Sequence, residues 1–224
     1  STTTNNRGFI TGVGIPETGK WYYEMYILGV GGSQDQVYLG VCDPNKMRPG
    51  SNLTSASRGG AEVSGAGGYT FDNYYGAAYL DGSKQSNDSL GHYRSFPQKV
   101  GLAFDRDNNN FKWTYTGSSF SSTYSIPSTG PLYVYLGSGG GSSTASGYFN
   151  FGQDSTFGGN ISAGGNADGN GIGDFSMAVP AGYLALSTAN LPISADIDPD
   201  QTSTQYSGKQ FNVLTYSSSG AASY

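Results

Sequence analysis

The stretch that most limits the fold is residues 100–117, because it has the complete pattern of a β-hairpin. Its first arm alternates large apolar residues with Gly101 and Ala103, and its second arm alternates aromatic residues with Lys or Thr. Alternation of this kind is typical of strands that bury one face. Residues 105–110, between the arms, are rich in Asp and Asn, whose side chains bond the nearby backbone in turns. The stretch therefore predicts a hairpin with a buried aromatic arm and a polar tip.

The polar tip also allows a calcium-binding interpretation. Asp105, Asp107 and Asn109 occupy alternate positions, as oxygen ligands do at the start of a calcium-binding loop. The glycine and the distal bidentate Glu of such loops are missing, so a structural turn is the favoured interpretation. We therefore predict no metal site and no cofactor.

Further alternating segments lie along the chain, and we expect each of them to be a strand. They include residues 21–27, 37–43, 132–136 and 148–151. In the first of these, the alternation predicts one buried face, formed by Trp21, Tyr23, Met25 and Ile27. No long stretch has the helical period of about 3.6 residues. The chain is predicted to be all-β, and its 224 residues suit one main sandwich domain with tails.

The composition indicates a surface built from neutral polar residues. Charged residues make up 12% of the chain, whereas Gly occurs 36 times and Tyr 18 times, a profile common in extracellular and virion-surface β proteins. The net charge of −5 and the scattered Lys and Arg argue against nucleic-acid binding. No apolar run is long enough to span a membrane, and the first residues carry no secretion signal. We expect no nucleic-acid partner and no membrane insertion.

Residue types that support catalysis are scarce. His92 is the only histidine, and no nucleophile pattern surrounds any Ser or the single Cys42, which we expect on a buried strand. Glycan hydrolysis needs two carboxylates that face one sugar, but the three Glu, at positions 17, 24 and 62, are not arranged in this way. The protein is predicted not to be an enzyme, with a glycan-degrading enzyme as the weakest hypothesis.

A binding patch is predicted in residues 68–80, the densest aromatic cluster of the chain. Exposed Tyr offers a large amphipathic contact area at low entropy cost. The leading candidate residues are the tyrosines of this cluster and their polar neighbours, Asp72, Asn73, Tyr74, Tyr75, Tyr79 and Asp81. The alternative for each of these tyrosines is that it packs on a face of the sandwich.

The composition changes along the chain and divides it into four segments. Residues 1–157 are predicted to form the β-sandwich, and the Gly- and Asn-rich residues 158–173 a flexible spacer. Residues 174–200 are expected to form a strand and turn that pack on the sandwich or extend it. Residues 201–224 are expected to be a tail or the start of a following module.

Five motifs, taken in order, resemble those of the SPRY domain family. They are Gly-Lys-Trp-Tyr-Tyr-Glu at 19–24, Tyr-Leu-Gly-Val at 38–41, Gly-Tyr-Thr-Phe-Asp at 68–72, the hairpin at 100–117 and Asn-Phe-Gly-Gln at 150–153. The family commonly has Asn-Gly where this chain has Thr116-Gly117. The resemblance covers about residues 8–157 and implies an antiparallel β-sandwich of jelly-roll type, followed here by a C-terminal extended segment that contains a strand.

The same resemblance implies where a partner would bind. In SPRY domains, partners are bound by loops at one end of the sandwich. The corresponding regions here are the loop 43–57, the segment 71–79 and the hairpin tip. Asp43, Asp105 and Asp107 therefore join the candidate binding residues.

A second resemblance concerns residues 179–192, Val-Pro-Ala-Gly-Tyr-Leu-Ala-Leu-Ser-Thr-Ala-Asn-Leu-Pro. This run is similar to a segment that follows SPRY-like domains in large bacteriophage proteins. It implies a tail-fibre, head-fibre or capsid-decoration module, assembled in the host cytoplasm and displayed on the virion surface. The expected partners are a host-surface glycan or protein and other virion subunits, with a homo-oligomer such as a trimer. The alternative is a purely structural virion protein whose tyrosine patch is a subunit interface.

Overall fold

Two mainly antiparallel β-sheets, packed face to face, form the framework of the protein. The computed structural model describes residues 2–3, 8–31, 36–47, 61–139 and 144–191. The strands, in chain order, are β1 (Thr2–Thr3), β2 (Gly8–Ile15), β3 (Lys20–Gly31), β4 (Gln36–Cys42), β5 (Gly68–Asp72), β6 (Ala77–Leu80), β7 (Ser83–Asn87), β8 (Gln98–Asp105), β9 (Asn110–Thr114), β10 (Tyr124–Ser125), β11 (Leu132–Gly139), β12 (Thr144–Asn150) and β13 (Leu184–Ala185). A short 3-10 helix, Thr188–Asn190, follows the last strand.

The strand order confirms the predicted all-β sandwich. The first sheet has the order β1-β12-β3-β8-β9-β10, and the short β13 pairs with β3 in parallel. The second sheet has the order β2-β11-β4-β5-β6-β7. Within the described ranges, no helix is long and apolar enough to cross a membrane.

The predicted hairpin consists of β8 and β9, and its aromatic arm reaches the space between the sheets. Phe111 and Trp113 are fully buried. The ring centroid of Trp113 lies 4.8 Å from that of Phe71 in the second sheet. The Tyr23 hydroxyl also crosses the sandwich and donates a hydrogen bond to the Gly40 carbonyl at 2.9 Å. The core between the sheets is therefore largely aromatic.

The outer face of β3 is covered as well, which differs from the single buried face expected for residues 21–27. Tyr22, Glu24 and Tyr26 point away from the core, yet each is at most 6% exposed. The chain after β12, residues 151–190, folds back over them and is called the C-terminal segment below. Its Phe175 ring packs edge-on against Tyr22 at 5.2 Å, and its Phe157 ring stacks on Tyr26 at 5.4 Å. Alternation identifies residues that share a face, but it cannot indicate whether a distant segment covers that face.

Glu24 attaches the C-terminal segment to the first sheet. Its carboxylate accepts hydrogen bonds from the backbone N–H of Ser176 at 2.9 Å and of Met177 at 2.8 Å, and from the Tyr22 hydroxyl at 3.1 Å. Burial raises the pKa of Glu24, and these hydrogen bonds to the charged form oppose the rise. Gly101 leaves room for the Tyr22 ring, since a Cβ there would lie 2.3 Å from its hydroxyl oxygen.

Residues 158–173, expected as a flexible spacer, are part of the folded unit Ser1–Asn190. Asn166 and Phe175 exchange backbone hydrogen bonds of 3.1 and 2.7 Å. Gly164 packs so closely that a Cβ would lie 2.5 Å from the Phe175 carbonyl oxygen. Glycine is therefore required here by close packing, which composition alone does not distinguish from a linker.

Within the predicted 174–200 segment, residues 174–190 belong to the same folded unit and pack on the first sheet through β13. Residues 192–200, the expected tail at 201–224, and residues 48–60 of the polar loop lie outside the described residues.

The outer face of the second sheet is covered by the loop that follows β4. The buried cluster on this face consists of Tyr38, Cys42, Tyr79 and Tyr135, together with Met47, Ala61 and Ala66 of the loop. Cys42 is buried, as predicted for a strand cysteine.

Candidate functional site

The strand register divides the candidate residues between two opposite ends of the sandwich. β4 and β5 are antiparallel, pairing Cys42 with Gly68 and Tyr38 with Asp72. The turns that follow Cys42 and Leu80 therefore lie at one end, and the turn that follows Asp72 lies at the other. The first, called the acidic end, holds Asp43, Asp81, Asp105 and Asp107. The second, called the tyrosine end, holds the turn 72–76 and the side chains of Lys84, Tyr93, Arg94 and Tyr115.

Tyr79 lies at neither end. It is 5% exposed, and its ring packs edge-on against Tyr38 at a centroid distance of 5.4 Å. The loop residues Met47 and Ala61 belong to the same buried cluster. For Tyr79, the structure supports the packing alternative over a place in a surface patch.

At the acidic end, Asp43 and Asp81 organise the loops around Gly67. The Gly67 N–H donates to the Asp81 carboxylate at 2.6 Å, and the Gly67 carbonyl accepts from the Asp43 N–H at 2.8 Å. The Asp43 carboxylate accepts from the Asn45 N–H at 2.9 Å. Asp81 has a φ of 51°, a left-handed conformation that Asp tolerates in turns. Both carboxylates are therefore occupied by the backbone of their own loops.

The hairpin tip uses its carboxylates in the same way. Asp105 is 6% exposed, forms an ion pair with Lys20 at 3.2 Å, and accepts from the N–H and the side-chain amide of Asn108 at 3.1 and 2.9 Å. Burial alone would raise the pKa of Asp105, but the hydrogen bonds from Asn108 and Lys20 outweigh it and hold the pKa below its ordinary value. Asp107 is exposed and accepts from the Gly19 N–H at 2.7 Å. These contacts join the tip to the turn between β2 and β3.

Arg106, which no sequence pattern singles out, completes the acidic end. It is 2% exposed, and its guanidinium donates to the Ser128 carbonyl at 3.4 Å and to the Gly130 carbonyl at 3.0 Å. Its backbone N–H donates to the Gly19 carbonyl at 2.9 Å. The side-chain partners lie more than twenty residues away along the chain, so no local motif could have identified this role.

At the tyrosine end, Asp72 and Asn73 form a buried polar support. The Asp72 carboxylate accepts from the Gln36 side-chain amide at 2.7 Å and from the Tyr74 N–H at 2.8 Å. Burial raises the pKa of Asp72 to about 6, although the hydrogen bonds from Gln36 and the turn oppose the rise. The Asn73 side chain accepts from the Val37 N–H at 2.6 Å and donates to the Tyr93 carbonyl at 2.8 Å. These contacts tie the turn to β4 and to the loop that carries Tyr93.

Tyr74 and Tyr75 project from this support and are half-buried. Their rings meet edge-on at 4.9 Å. A cation lies over each ring, the Arg94 guanidinium 3.5 Å from the Tyr74 centroid and the Lys84 ammonium 3.5 Å from the Tyr75 centroid. Cation–π contacts of this kind hold an aromatic side chain in place while one of its edges stays accessible. The sequence indicates the tyrosines but not their cations, which are remote in the chain.

Tyr115 extends this surface toward the first sheet. It lies just beyond β9, it is half-buried where the hairpin pattern predicts a core residue, and its ring centroid lies 5.4 Å from that of Tyr93. Its hydroxyl donates to the Gly91 carbonyl at 3.3 Å. Tyr93 and Tyr115 therefore form a second aromatic pair at the same end as the pair Tyr74 and Tyr75.

The two ends differ in their accessible charge. At the tyrosine end, Asp72 and Asp88 are 0% and 7% exposed, Glu62, whose charge acts on Asp72, is half-buried, and Lys84 and Arg94 are exposed. At the acidic end, Asp107 and Lys46 are exposed and Asp81 is half-buried. Across the described ranges, no three His, Cys, Asp or Glu side chains converge as a metal site would require.

Comparison with known proteins agrees with this architecture. The family model of the SPRY domain matches residues 20–154. No curated protein matches the chain. Among solved structures, the crystal structure of the SPRY domain of human HERC1 is similar, with 12% identity and a TM-score of 0.41 over 64% of this chain and 79% of that one. Because the family model spans more than half of its length, this chain belongs to the SPRY domain family.

Proposed function

We propose that this chain is a non-enzymatic binding module of a virion surface, and that its tyrosine end attaches to a glycan or protein of the host cell. The observation that carries the proposal is the pair Tyr74 and Tyr75, held in place by the buried Asp72 and Asn73. A preorganised turn with half-exposed aromatic rings lowers the entropy cost of binding.

Two further considerations support this function. SPRY domains are generally binding modules, so membership of the family favours a binding role over a catalytic one. The virion setting has separate support, from the resemblance of residues 179–192 to segments of large bacteriophage proteins.

The test is binding of the intact chain to an array of bacterial surface glycans and to host envelope proteins. We expect binding that the double substitution Tyr74→Ala with Tyr75→Ala weakens about tenfold or more, because truncation of anchor aromatics commonly costs more than about 1 kcal/mol. Tyr133→Ala is the matched control, since Tyr133 is also half-buried but pairs with Cys42 near the acidic end. Equal weakening by both variants, or release of reducing ends from a bound glycan, would contradict the proposal.

A second candidate function, packing between virion subunits, is favoured by three exposed apolar side chains. Phe9, Leu28 and Tyr148 are 41%, 38% and 44% exposed on β2, β3 and β12. For this function we expect sedimentation analysis to show a homo-oligomer that Leu28→Ser with Tyr148→Ser dissociates. A chain that stays monomeric at high concentration, with glycan binding intact, would leave attachment as the function.

A further inference from the structure

A pocket of about 390 Å³ opens beside the tyrosine end, between the first sheet and the C-terminal segment. Tyr26 and Lys99 line it from β3 and β8, where they are paired in register. Tyr115 lines the side nearest the tyrosine end, and Ile161 and Ser162 of the C-terminal segment form another wall. Small-molecule sites have volumes of about 300–1,000 Å³, so this pocket suits a compact ligand.

The pocket walls combine apolar surface with hydrogen-bonding groups. The half-buried Tyr115 and Ile161 supply apolar surface, and the exposed Ser162 supplies a hydroxyl. The Gln98 side-chain amide donates to the Lys99 carbonyl at 2.5 Å. Because its amide nitrogen makes this bond, the Gln98 side-chain oxygen is the group left to accept a further hydrogen bond. A ligand with an apolar face and several hydroxyl groups matches these walls.

The charged groups around the pocket indicate which charge a bound ligand would carry. Lys99 is the only charged residue that lines it, and within the described part of the chain its ammonium has no ion-pair partner. Burial raises the pKa of Tyr115 and the charges of Asp72 and Asp88 add to the rise, so both carboxylates act on the pocket wall, although neither lines the pocket. Lys99 is therefore the group of the lining that can meet an anionic ligand, although the chain as a whole has a net charge of −5.

We infer that this pocket binds a sugar unit that carries a carboxylate, within an acidic glycan. The inference rests on the proposed function and specifies its ligand class. The Lys99 ammonium meets the carboxylate as a point charge, Tyr115 and Ile161 contact the apolar ring face, and Gln98 and Ser162 bond the ring hydroxyls. An acidic peptide fits less well, since a peptide that binds by strand addition needs a free strand edge, whereas this pocket is walled by both the sheet and the C-terminal segment.

The test uses a panel of uronic-acid oligosaccharides, each paired with its methyl-esterified form, and calorimetry on the intact chain. We expect the charged member of at least one pair to bind about tenfold more tightly or better, with an affinity that falls as salt is raised. Lys99→Ala should weaken that binding about tenfold, since hydrogen bonds to charged groups contribute about 1.5–3 kcal/mol. Ser162→Trp should block the pocket, and Lys46→Ala, an equal charge change at an exposed acidic-end position, should leave binding unchanged.

Each result decides the inference. Equal binding of the charged and esterified forms, no binding to any member of the panel, or full binding by Ser162→Trp would overturn it. Polyglutamate that binds as tightly, with the same dependence on Lys99, would assign the pocket to an acidic polypeptide and overturn the glycan class. If Tyr74→Ala with Tyr75→Ala abolishes host-glycan binding while Lys99→Ala does not, the proposed function stands and this inference fails.

Discussion

The two ends of the sandwich use their polar side chains for different purposes. At the acidic end, the carboxylates of Asp43, Asp81 and Asp107 accept hydrogen bonds from backbone N–H groups of the turns they join. At the tyrosine end, the polar support of Asp72 and Asn73 is buried, and the aromatic side chains beside it reach solvent. An Asp that stands out in a turn sequence therefore uses its carboxylate mainly to accept hydrogen bonds from the backbone of the turns. The side chains that remain available to a partner are the aromatic ones, which make no hydrogen bond that the turn requires.

The largest expected effect is that of Asn73→Ala. This change removes one buried and one partly buried hydrogen bond and leaves the Val37 N–H and the Tyr93 carbonyl without their side-chain partner. We expect the free energy of unfolding, measured by urea titration, to fall by about 3 kcal/mol. Asn108→Ala, at the exposed tip of the acidic end, is the control and should cost less than about 1 kcal/mol. If the two variants lose similar free energies of unfolding, the buried polar side chain of the tyrosine end is no more important to stability than the exposed one of the acidic end.

A smaller effect is expected from the titration of Asp72. Its pKa of about 6 in the folded state exceeds the ordinary 3.8, so the folded protein binds this proton more readily than the unfolded chain does. The contribution of Asp72 to the free energy of unfolding therefore rises as the pH falls through 6, by about 1.5 kcal/mol between pH 7.5 and pH 5. Asp72→Asn should abolish this part of the pH dependence, and its new amide N–H can donate to the buried, unpartnered Gln36 side-chain oxygen. Urea titrations of the parent and the variant at both pH values provide the measurement, and parallel pH profiles would contradict the assignment.

Asp105 should behave with the opposite sign. Its folded-state pKa is held below the ordinary value, so its stabilisation is present at neutral pH and is lost only as the pH falls below about 4. Asp105→Ala removes a half-exposed ion pair with Lys20 and the bonds from Asn108, and should cost about 1 kcal/mol. The same urea titrations should give an equal cost at pH 7.5 and pH 5. If the loss of unfolding free energy differs between pH 7.5 and pH 5, Asp105 titrates in the same range as Asp72, and the two ends do not differ in their pH dependence.

Asp107→Ala should have the smallest effect, at most about 0.5 kcal/mol, because it removes one exposed hydrogen bond to the Gly19 N–H. The same variant tests the calcium interpretation of the hairpin tip. Thermal melts of the parent and of Asp107→Ala should be unchanged by added calcium or by a chelator. A calcium-dependent rise in the melting temperature of the parent alone would make the tip a cation site.

Part of the candidate site could be predicted from the sequence. The cluster around Tyr74 and Tyr75 stands out because a turn between two short strands must lie at the surface. Tyr79 is buried and not part of a surface patch, because Met47 and Ala61 of the loop after β4 cover its face, and side-chain alternation cannot indicate such a cover. The sequence does not predict Arg94 and Lys84 as part of the site, because they reach the tyrosine rings from other elements. It does not predict Lys99 as a pocket residue either, because a lysine on a strand has no distinguishing pattern.

The sequence by itself determined the strands around residues 21–27, 37–43 and 132–136, the hairpin at 100–117 and the family, because side-chain alternation and turn chemistry act between near neighbours in the chain. Only the tertiary structure decided which faces are covered and which candidates share an end. Glu24 bonds the backbone of Met177, and Asp107 bonds that of Gly19, across separations of 153 and 88 residues. Contacts of that range depend on how the strands are ordered in the sheets, so no local pattern in the chain encodes them.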